Sequence, residues 1–287
     1  MDVKIEKIKE KKSISELLKF SIINLDKPSG PTSFSVSQFV KNSLGLTKTA
    51  HFGTLDPQVS GVLPIALNRA RRLNDYFMHK DKTYVGIMRL HSDISDEILK
   101  DAIKDFIGKI TQLPPVRSRV KRAIREREIK SFEILERDNK DILFMTQVQA
   151  GTYIRKLCDD IGKKIGGAHM LELRRTKAGI FDESNSINLY DFEKAVEEYQ
   201  EGNDKELRKI LIPAEIISTI LPVVQIKKEF IKKCMEGSPI FGNFLVNSEF
   251  AVKKEEKIAV FSDTKFIGCY TAVNNKNLFA LPEFVFN

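Results

Sequence analysis

The stretch HFGTLDPQVSGVLPIAL, residues 51–67, is a turn-rich loop followed by an apolar run. The loop holds one histidine, two glycines and one acid, Asp56, with a proline directly after it. Asp before Pro and isolated glycines are ordinary turn chemistry. Taken alone, Asp56 is best explained as a turn residue, and the alternative is a loop that presents one carboxylate to a substrate. The rest of the chain decides between the two.

The segment before this loop predicts a strand followed by a helix. FSIINLD (20–26) is typical of a short buried strand, and KPSGPTS (27–33) is dense in turn formers. A helix then begins near Thr32 or Ser33, both good N-caps, and ends near Gly45. Apolar residues recur on one face of it at helical spacing.

After the loop, helices and strands alternate irregularly. The predicted helices cover residues 69–80, 95–110, 151–167 and 188–202, and the predicted strands cover 82–91, 128–135, 141–150 and 171–181. This order predicts an α+β fold with a mixed, largely antiparallel central sheet flanked by helices. It argues against a doubly wound nucleotide-binding fold, and no Gly-rich phosphate loop is present in the sequence.

The composition changes near Pro213 and divides the chain. Residues 1–20 form a charged extension, residues 21–212 the main domain, and residues 213–287 a small, mostly β domain. A hairpin is predicted in AVFSDTKFIGCY (259–270), with Ser262 and Asp263 at its turn.

Charge and cysteine usage restrict the class of protein. Lys plus Arg number 47 and Asp plus Glu 39, so the net charge of +8 permits an anionic partner. The three cysteines, Cys158, Cys234 and Cys269, are odd in number and widely spaced, which favours neither a disulfide framework nor a zinc site. The charged N-terminus lacks a signal peptide, and no apolar run approaches the roughly 20 residues of a membrane span. We expect a soluble intracellular protein without a membrane partner.

Five ordered segments together resemble one known family. They are INLDKPSGPTS (23–33), HFGTLDPQVSGVLPIAL (51–67), KTYVG (82–86), GTYIRKL (151–157) and HMLELRRTKAG (169–179). In this order they resemble the dyskerin/TruB family of pseudouridine synthases, which isomerise uridine to pseudouridine within RNA. The resemblance covers most of residues 22–182 and implies the pseudouridine synthase fold.

The resemblance implies a role for each matching residue. Asp56 matches the catalytic aspartate, Tyr84 the tyrosine that stacks on the target base, and Arg155 the arginine that pairs with the aspartate. The residues assigned to substrate binding or loop support are His51, which holds the flipped nucleotide, Lys27 with Pro28, Tyr153, and Leu173, an apolar pocket wall. Each of these has an ordinary structural explanation by itself, and the combination favours catalysis.

The reaction chemistry suits these residue types. A C–N glycosidic bond breaks and the uracil rejoins through carbon, so no atoms are gained or lost and neither a cofactor nor a metal is expected. One carboxylate acts as nucleophile or as base, an alternative that the sequence leaves open. An arginine partner favours its ionised form. The base must leave its stack, and an aromatic face offsets part of that cost.

One position departs from the family pattern. Members often have a glycine before the histidine and a small residue after it, whereas here Ala50 and Phe52 flank His51. We expect the bulky Phe52 ring to narrow the approach to the loop.

The segment after the tyrosine-bearing strand points to one branch of the family. It runs directly into a helix, without the insertion of stand-alone bacterial members, and so resembles the archaeal and eukaryotic dyskerin branch. Residues 117–130 hold seven Lys or Arg against two Glu. They predict a phosphate-contacting ridge, with a solvated strand surface as the alternative. The residues assigned to RNA binding are Arg117, Arg119, Lys121 and Arg122, extended by Arg69 and Arg72.

The C-terminal domain resembles a PUA domain, a small RNA-binding β-barrel. In the dyskerin branch this domain grips a guide RNA and the N-terminal extension packs on it. The implied partners are therefore H/ACA guide RNA, substrate rRNA and small H/ACA particle proteins, with tRNA as a further substrate. The alternatives are a stand-alone tRNA pseudouridine-55 synthase and a non-catalytic RNA-binding scaffold. An archaeal source implies the cytoplasm and a eukaryotic source the nucleolus.

Overall fold

The protein contains two β-sheets with helices packed around the larger one. The computed structural model describes residues 3–113, 123–247, 252–273, 275 and 277–287. The α-helices in these ranges are α1 (Ile5–Lys11), α2 (Ile14–Lys19), α3 (Ser33–Ser43), α4 (Asn74–Met78), α5 (Asp96–Lys104), α6 (Ile154–Lys164), α7 (Leu189–Gln200), α8 (Lys205–Ile210) and α9 (Ile231–Met235). Among the described residues, no helix has both the length and the apolar character needed to cross a membrane.

The larger sheet contains eleven strands. They are β1 (Ser21–Lys27), β2 (Thr49–His51), β3 (Ser60–Leu67), β4 (Lys82–Leu90), β5 (Gly108–Gln112), β6 (Arg125–Asp138), β7 (Asp141–Val148), β8 (Ala168–Ala178), β9 (Phe181–Asp182), β10 (Ile187–Asn188) and β11 (Leu211–Pro213). The order is β10-β1-β3-β8-β4-β7-β6-β5, with β11 beside β1, β2 beside β3 and β9 beside β8. Only the β1–β10 and β3–β8 pairs of this sheet's described strands are parallel, which confirms the predicted mixed, largely antiparallel sheet.

The smaller sheet is built from the C-terminal quarter of the chain. Its strands are β12 (Val223–Gln225), β13 (Ile240–Phe241), β14 (Lys257–Ser262), β15 (Lys265–Ala272) and β16 (Leu278–Val285). They follow the order β12-β14-β15-β16-β13. A bridge between Ile226 and Leu245 joins the segments after the two edge strands, so the sheet curls into a partly closed barrel. The predicted hairpin is confirmed, with Asp263 in the left-handed conformation at its turn (φ 54°).

The helix that carries Arg155 packs one face against the core of the larger sheet. On α6 the apolar side chains recur at helical spacing, and Ile154, Leu157 and Ile161 are all buried. Ile165, just beyond the helix, is buried as well. The predicted core face of this helix is confirmed. Its packing fixes the direction of the first turn, where Arg155 lies.

Two of the predicted helices differ more than the others from the helices in the structure. The helix predicted over 95–110 ends at Lys104, because Gly108 adopts a left-handed conformation (φ 90°) and starts a strand that pairs with β6. The segment predicted as one helix over 69–80 instead forms a 3₁₀ helix, Asn68–Leu73, followed by α4.

A junction between the two sheets holds the N-terminal helices. Strand β11 pairs with the start of β1, and the Phe20 ring lies 5.4 Å from Phe266 and 4.3 Å from Phe286. Lys12 forms a 2.5 Å ion pair with the buried Glu215 just after β11. The three cysteines are buried and free, as predicted.

Candidate active site

Asp56 lies in the loop of residues 52–59 that joins β2 to β3, called here the Asp56 loop. Its carboxylate accepts a 2.7 Å hydrogen bond from Nη2 of Arg155, in the first turn of α6. The two side chains are 55% and 59% exposed, so the pair is open to a ligand. The structure thus brings Asp56 and Arg155 together, the two residues that the family resemblance pairs.

Lys27 holds the Asp56 loop from below. It is fully buried, and its ammonium donates to three carbonyl oxygens, those of Pro28 (2.7 Å), Pro31 (2.9 Å) and Pro57 (3.0 Å). Three donors meet three acceptors, so the buried ammonium is fully satisfied. Burial lowers the pKa of Lys27, and the negative charge of Asp56 opposes that shift. The turn after β1 is therefore tied directly to the residue that follows Asp56.

The residue before Asp56 is fixed as well. The Ser33 hydroxyl, at the start of α3, donates to the Leu55 carbonyl (3.0 Å) and accepts from the Leu55 amide (2.8 Å). The Gly30 amide donates to the Pro57 carbonyl at 2.9 Å. The backbone is hydrogen-bonded on both sides of Asp56, so the loop presents its carboxylate from a defined position.

Arg175 is a functional candidate that sequence reasoning missed. It is 1% exposed and lies under the Asp56 loop, where it donates to the carbonyls of Val62 (2.8 Å) and Gly53 (3.0 Å). It also bonds to the side chain of Tyr84, and burial lowers its pKa. A Cβ at Gly61 would lie 2.2 Å from the Arg175 carbonyl oxygen, so only glycine fits there. The available signal was its place two residues beyond Leu173, on the same face of β8.

Tyr84 and Leu173 flank this arginine on neighbouring strands. Tyr84 is half-buried on β4, directly opposite Arg175 on β8. Leu173 is buried on β8, opposite Gly86, and a Cβ at Gly86 would lie 2.8 Å from its Cδ1. The contacts that tie Tyr84 to the Asp56 loop run through Arg175.

His51 lies at the end of β2, where the Asp56 loop begins. Its Nε2 is 3.1 Å from the Thr54 hydroxyl. Burial and the nearby charge of Arg175 lower the pKa of His51, so its ring is neutral near pH 7. A neutral imidazole can both donate and accept a hydrogen bond.

Tyr153 caps the N-terminus of α6 through its backbone. Its amide donates to Oε1 of the buried Gln112 (3.0 Å), and Nε2 of Gln112 donates back to the Tyr153 carbonyl (3.2 Å). This reciprocal pair anchors the start of α6 to β5. Arg155 therefore projects from a fixed helix end.

Phe52 does not narrow the approach to Asp56, so that expectation is wrong. The ring is 1% exposed and stacks on Phe77, with centroids 5.0 Å apart and planes 13° apart. Phe181 lies 6.1 Å from Phe52 and 5.5 Å from Phe77, so the three rings form one cluster. The bulky residue fills a second apolar core between β3 and α4 instead of a substrate pocket.

The predicted RNA-binding residues fall into two groups. Arg117, Arg119, Lys121 and Arg122 lie outside the described residues. Arg72 is exposed, whereas the guanidinium of Arg69 is hydrogen-bonded within the protein. Its Nη2 donates to the Val285 carbonyl (3.1 Å) and to Asn287 (2.9 Å), because the C-terminal strand ends against it. Arg69 thus joins the 3₁₀ helix to β16.

Family models match most of the larger-sheet region. Residues 41–154 match TruB family pseudouridylate synthase (N terminal domain), and residues 155–218 match tRNA pseudouridylate synthase B C-terminal domain. A curated relative from Methanopyrus kandleri, named "Probable tRNA pseudouridine synthase B", is 43% identical over 255 residues. The match covers 88% of this chain and 75% of that protein.

Solved structures match nearly the whole chain. A Cbf5-Nop10-Gar1 complex contains a chain with 36% identity and a TM-score of 0.89, covering 97% of this chain and 88% of that one. An H/ACA RNP bound to a substrate RNA containing 2'-deoxyuridine contains one with 34% identity and a TM-score of 0.88, covering 97% and 89%. These matches show that this chain belongs to the TruB family of pseudouridine synthases.

Proposed function

We propose that this pseudouridine synthase uses Asp56 as its catalytic carboxylate and acts as the catalytic subunit of a guide-RNA-dependent H/ACA particle that modifies rRNA. The single observation that carries the catalytic assignment is the 2.7 Å hydrogen bond from Arg155 to Asp56, whose loop is held on both sides by hydrogen bonds. A nucleophile or base that acts on a bulky RNA substrate must be exposed and held in a fixed position, and the Asp56 carboxylate meets both requirements.

The surrounding residues suit the steps of the isomerisation. The N1–C1′ bond of uridine breaks, a C5–C1′ bond forms, and the proton on C5 leaves while N1 regains one. In our proposal the Asp56 carboxylate acts on the ribose or the base, and the hydrogen bond from Arg155 orients it. The Tyr84 ring stacks on the flipped uracil, and Leu173 closes the pocket behind it.

The remaining residues position the reacting groups. Arg175 fixes the Tyr84 hydroxyl and the Asp56 loop together, because one buried guanidinium contacts both. Lys27 supports the loop, while the neutral His51 and Tyr153 bind the nucleotide. Each of these roles can be tested by substituting the single residue concerned.

Guide dependence is supported by the solved relatives and by the C-terminal sheet. The chains with TM-scores of 0.89 and 0.88 come from a Cbf5-Nop10-Gar1 complex and from an H/ACA RNP with substrate RNA. We propose the same kinds of partner for this chain: guide RNA, substrate RNA and small particle proteins. We also propose that residues 21–212 form the catalytic domain and 213–287 an RNA-binding PUA-like domain, with residues 1–20 as an extension that packs on the C-terminal domain.

A second function, guide-free modification of tRNA, is favoured by the names of the curated relatives. The proteins of Methanopyrus kandleri and Methanocaldococcus jannaschii, 43% and 41% identical, are both named "Probable tRNA pseudouridine synthase B". Because these relatives are archaeal, we propose the cytoplasm as the place of action.

One experiment separates these functions. The purified chain is incubated with rRNA fragments and with tRNA, with and without guide RNA and particle proteins, and pseudouridine is mapped in each. Product in rRNA only with the guide supports the first function, and guide-free product in tRNA supports the second. No product in any mixture overturns both and leaves an RNA-binding scaffold.

A further inference from the structure

A basic cavity lies at the end of the β2–β3 pair that is remote from the Asp56 loop. Its volume is about 260 Å³. It is lined by the two residues before β2 and by the start of the 3₁₀ helix after β3, namely Thr47, Lys48, Asn68, Arg69, Arg71 and Arg72. We call this feature the basic cavity.

Asn68 builds the wall of the basic cavity. It is held in the left-handed conformation (φ 44°), which is strained for a residue with a side chain. Its Oδ1 accepts from the Thr47 hydroxyl (2.9 Å) and amide (3.2 Å) and from the Lys48 amide (3.3 Å), while Nδ2 donates to the Leu18 carbonyl (3.1 Å). These bonds hold the wall in one shape, so the cavity exists before any ligand arrives.

The charge of the basic cavity is not balanced within the described part of the chain. Four of its six lining residues are cationic and none is acidic. Lys48, Arg71 and Arg72 form no ion pair with any described residue. Several like charges around one concave surface repel one another, and an anion between them removes the repulsion.

We propose that the basic cavity binds a backbone phosphate of the RNA strand whose uridine reaches Asp56. The proposal rests on the proposed function and adds to it a second contact with the same substrate. Guanidinium groups match the geometry of phosphate oxygens with paired donors, and lysine adds a point charge. Lys48 directly precedes β2 and His51 ends it, so about 10 Å of extended backbone separates the basic cavity from the start of the Asp56 loop at roughly 3.3 Å per residue. One RNA strand spans that distance.

The test measures RNA affinity of the full chain in its particle over a range of salt concentrations. Arg72→Gln and Lys48→Gln each remove one cavity charge, and Lys104→Gln is the matched control, since Lys104 is 75% exposed on α5. Each cavity variant is expected to weaken binding several-fold and to reduce the slope of log K against log salt by about 0.7–0.9. The control keeps the affinity, the salt slope and the turnover of the native chain.

The proposal is overturned if both cavity variants keep the RNA affinity and the salt slope of the native chain. In that case, binding of inorganic phosphate, seen as shifts of the Thr47 and Lys48 amide resonances, would show a site for the free anion only. Because binding is measured without product formation, a chain that binds through the cavity but makes no pseudouridine refutes only the proposed function.

Discussion

Arg155 Nη2 lies 2.7 Å from Asp56 Oδ2, although 99 positions separate the two residues in the chain. Both side chains are more than half exposed. An ion pair in that setting contributes at most about 1 kcal/mol to stability. The arrangement therefore orients a charged carboxylate at the surface and does little to hold the fold together.

Replacing Arg155 should separate catalysis from stability. Arg155→Gln is expected to lower kcat by about 100-fold or more, as the loss of a charge-stabilising group does in other active sites, while the free energy of unfolding changes by less than about 1 kcal/mol. Single-turnover kinetics and urea unfolding measure the two. Lys156→Gln, at the next helix position and paired with Asp159 and Asp160, is the control that keeps kcat. Native kcat in Arg155→Gln would contradict the role of the pair.

Arg175 and its neighbour Arg174 should differ in their contribution to stability. Arg175→Met removes the guanidinium donor from the carbonyls of Gly53 and Val62, at about 1–3 kcal/mol for each. Arg174, 37% exposed and paired with Asp26 and Glu183, is the matched control, and Arg174→Met should cost about 1 kcal/mol. Denaturant unfolding decides this, and equal losses in the two variants would remove Arg175 from its position under the loop.

Lys82 predicts a rise in stability at alkaline pH. Burial and the charge of Arg175 lower its pKa from 10.5 to about 8. Between pH 8 and 10.5 the unfolded chain therefore binds more protons at this residue than the folded chain does, so the free energy of unfolding increases with pH. Below pH 8 Lys82 is protonated in both the folded and the unfolded chain, so its contribution to the free energy of unfolding no longer changes with pH. The neutral amine still has two N–H donors for its two carbonyl partners, those of Met78 and Lys80.

The difference between native chain and Lys82→Met isolates this contribution. It should grow in favour of the native chain by about 2–3 kcal/mol from pH 8 to 10.5, at about 1.36 kcal/mol per pH unit. Lys100→Met, on the exposed face of α5, serves as the control. A difference that stays flat or declines over this range would show that Lys82 titrates normally.

Phe52 should behave as a core residue and not as part of the substrate pocket. Phe52→Leu is expected to cost about 1–2 kcal/mol of stability through the cavity left beside Phe77, with kcat and KM unchanged. Phe77→Leu should cost a similar amount, and the double variant should lose less than the sum because the rings stack on each other. A raised KM in Phe52→Leu without loss of stability would return the ring to the pocket.

The parts predicted from sequence are those set by local patterns. The buried face of α6 was predicted because Ile154, Leu157 and Ile161 lie within two turns of one helix. The end of α5 was not, because the apolar pattern continues past Lys104 and only pairing of β5 with the distant β6 makes a strand there. Strand pairing between residues far apart in sequence leaves no local periodicity to read.

The candidate site shows the same division. The Asp56–Arg155 pair was expected only through family resemblance, since no pattern in either segment brings the two together. Arg175 was missed because a charged residue in a strand is normally exposed, and its burial depends on acceptors from β3 and the Asp56 loop. The contact of Arg69 with the Val285 carbonyl could not be predicted either, because the two residues are 216 positions apart.

Asp56→Asn tests whether the Asp56 carboxylate performs the isomerisation, because it removes the charge with almost no change in side-chain shape. Pseudouridine is quantified in the target RNA under single-turnover conditions, and RNA affinity is measured on the same preparation. We expect no detectable pseudouridine, with RNA affinity and unfolding free energy close to those of the native chain. Substantial pseudouridine formation by Asp56→Asn would contradict it.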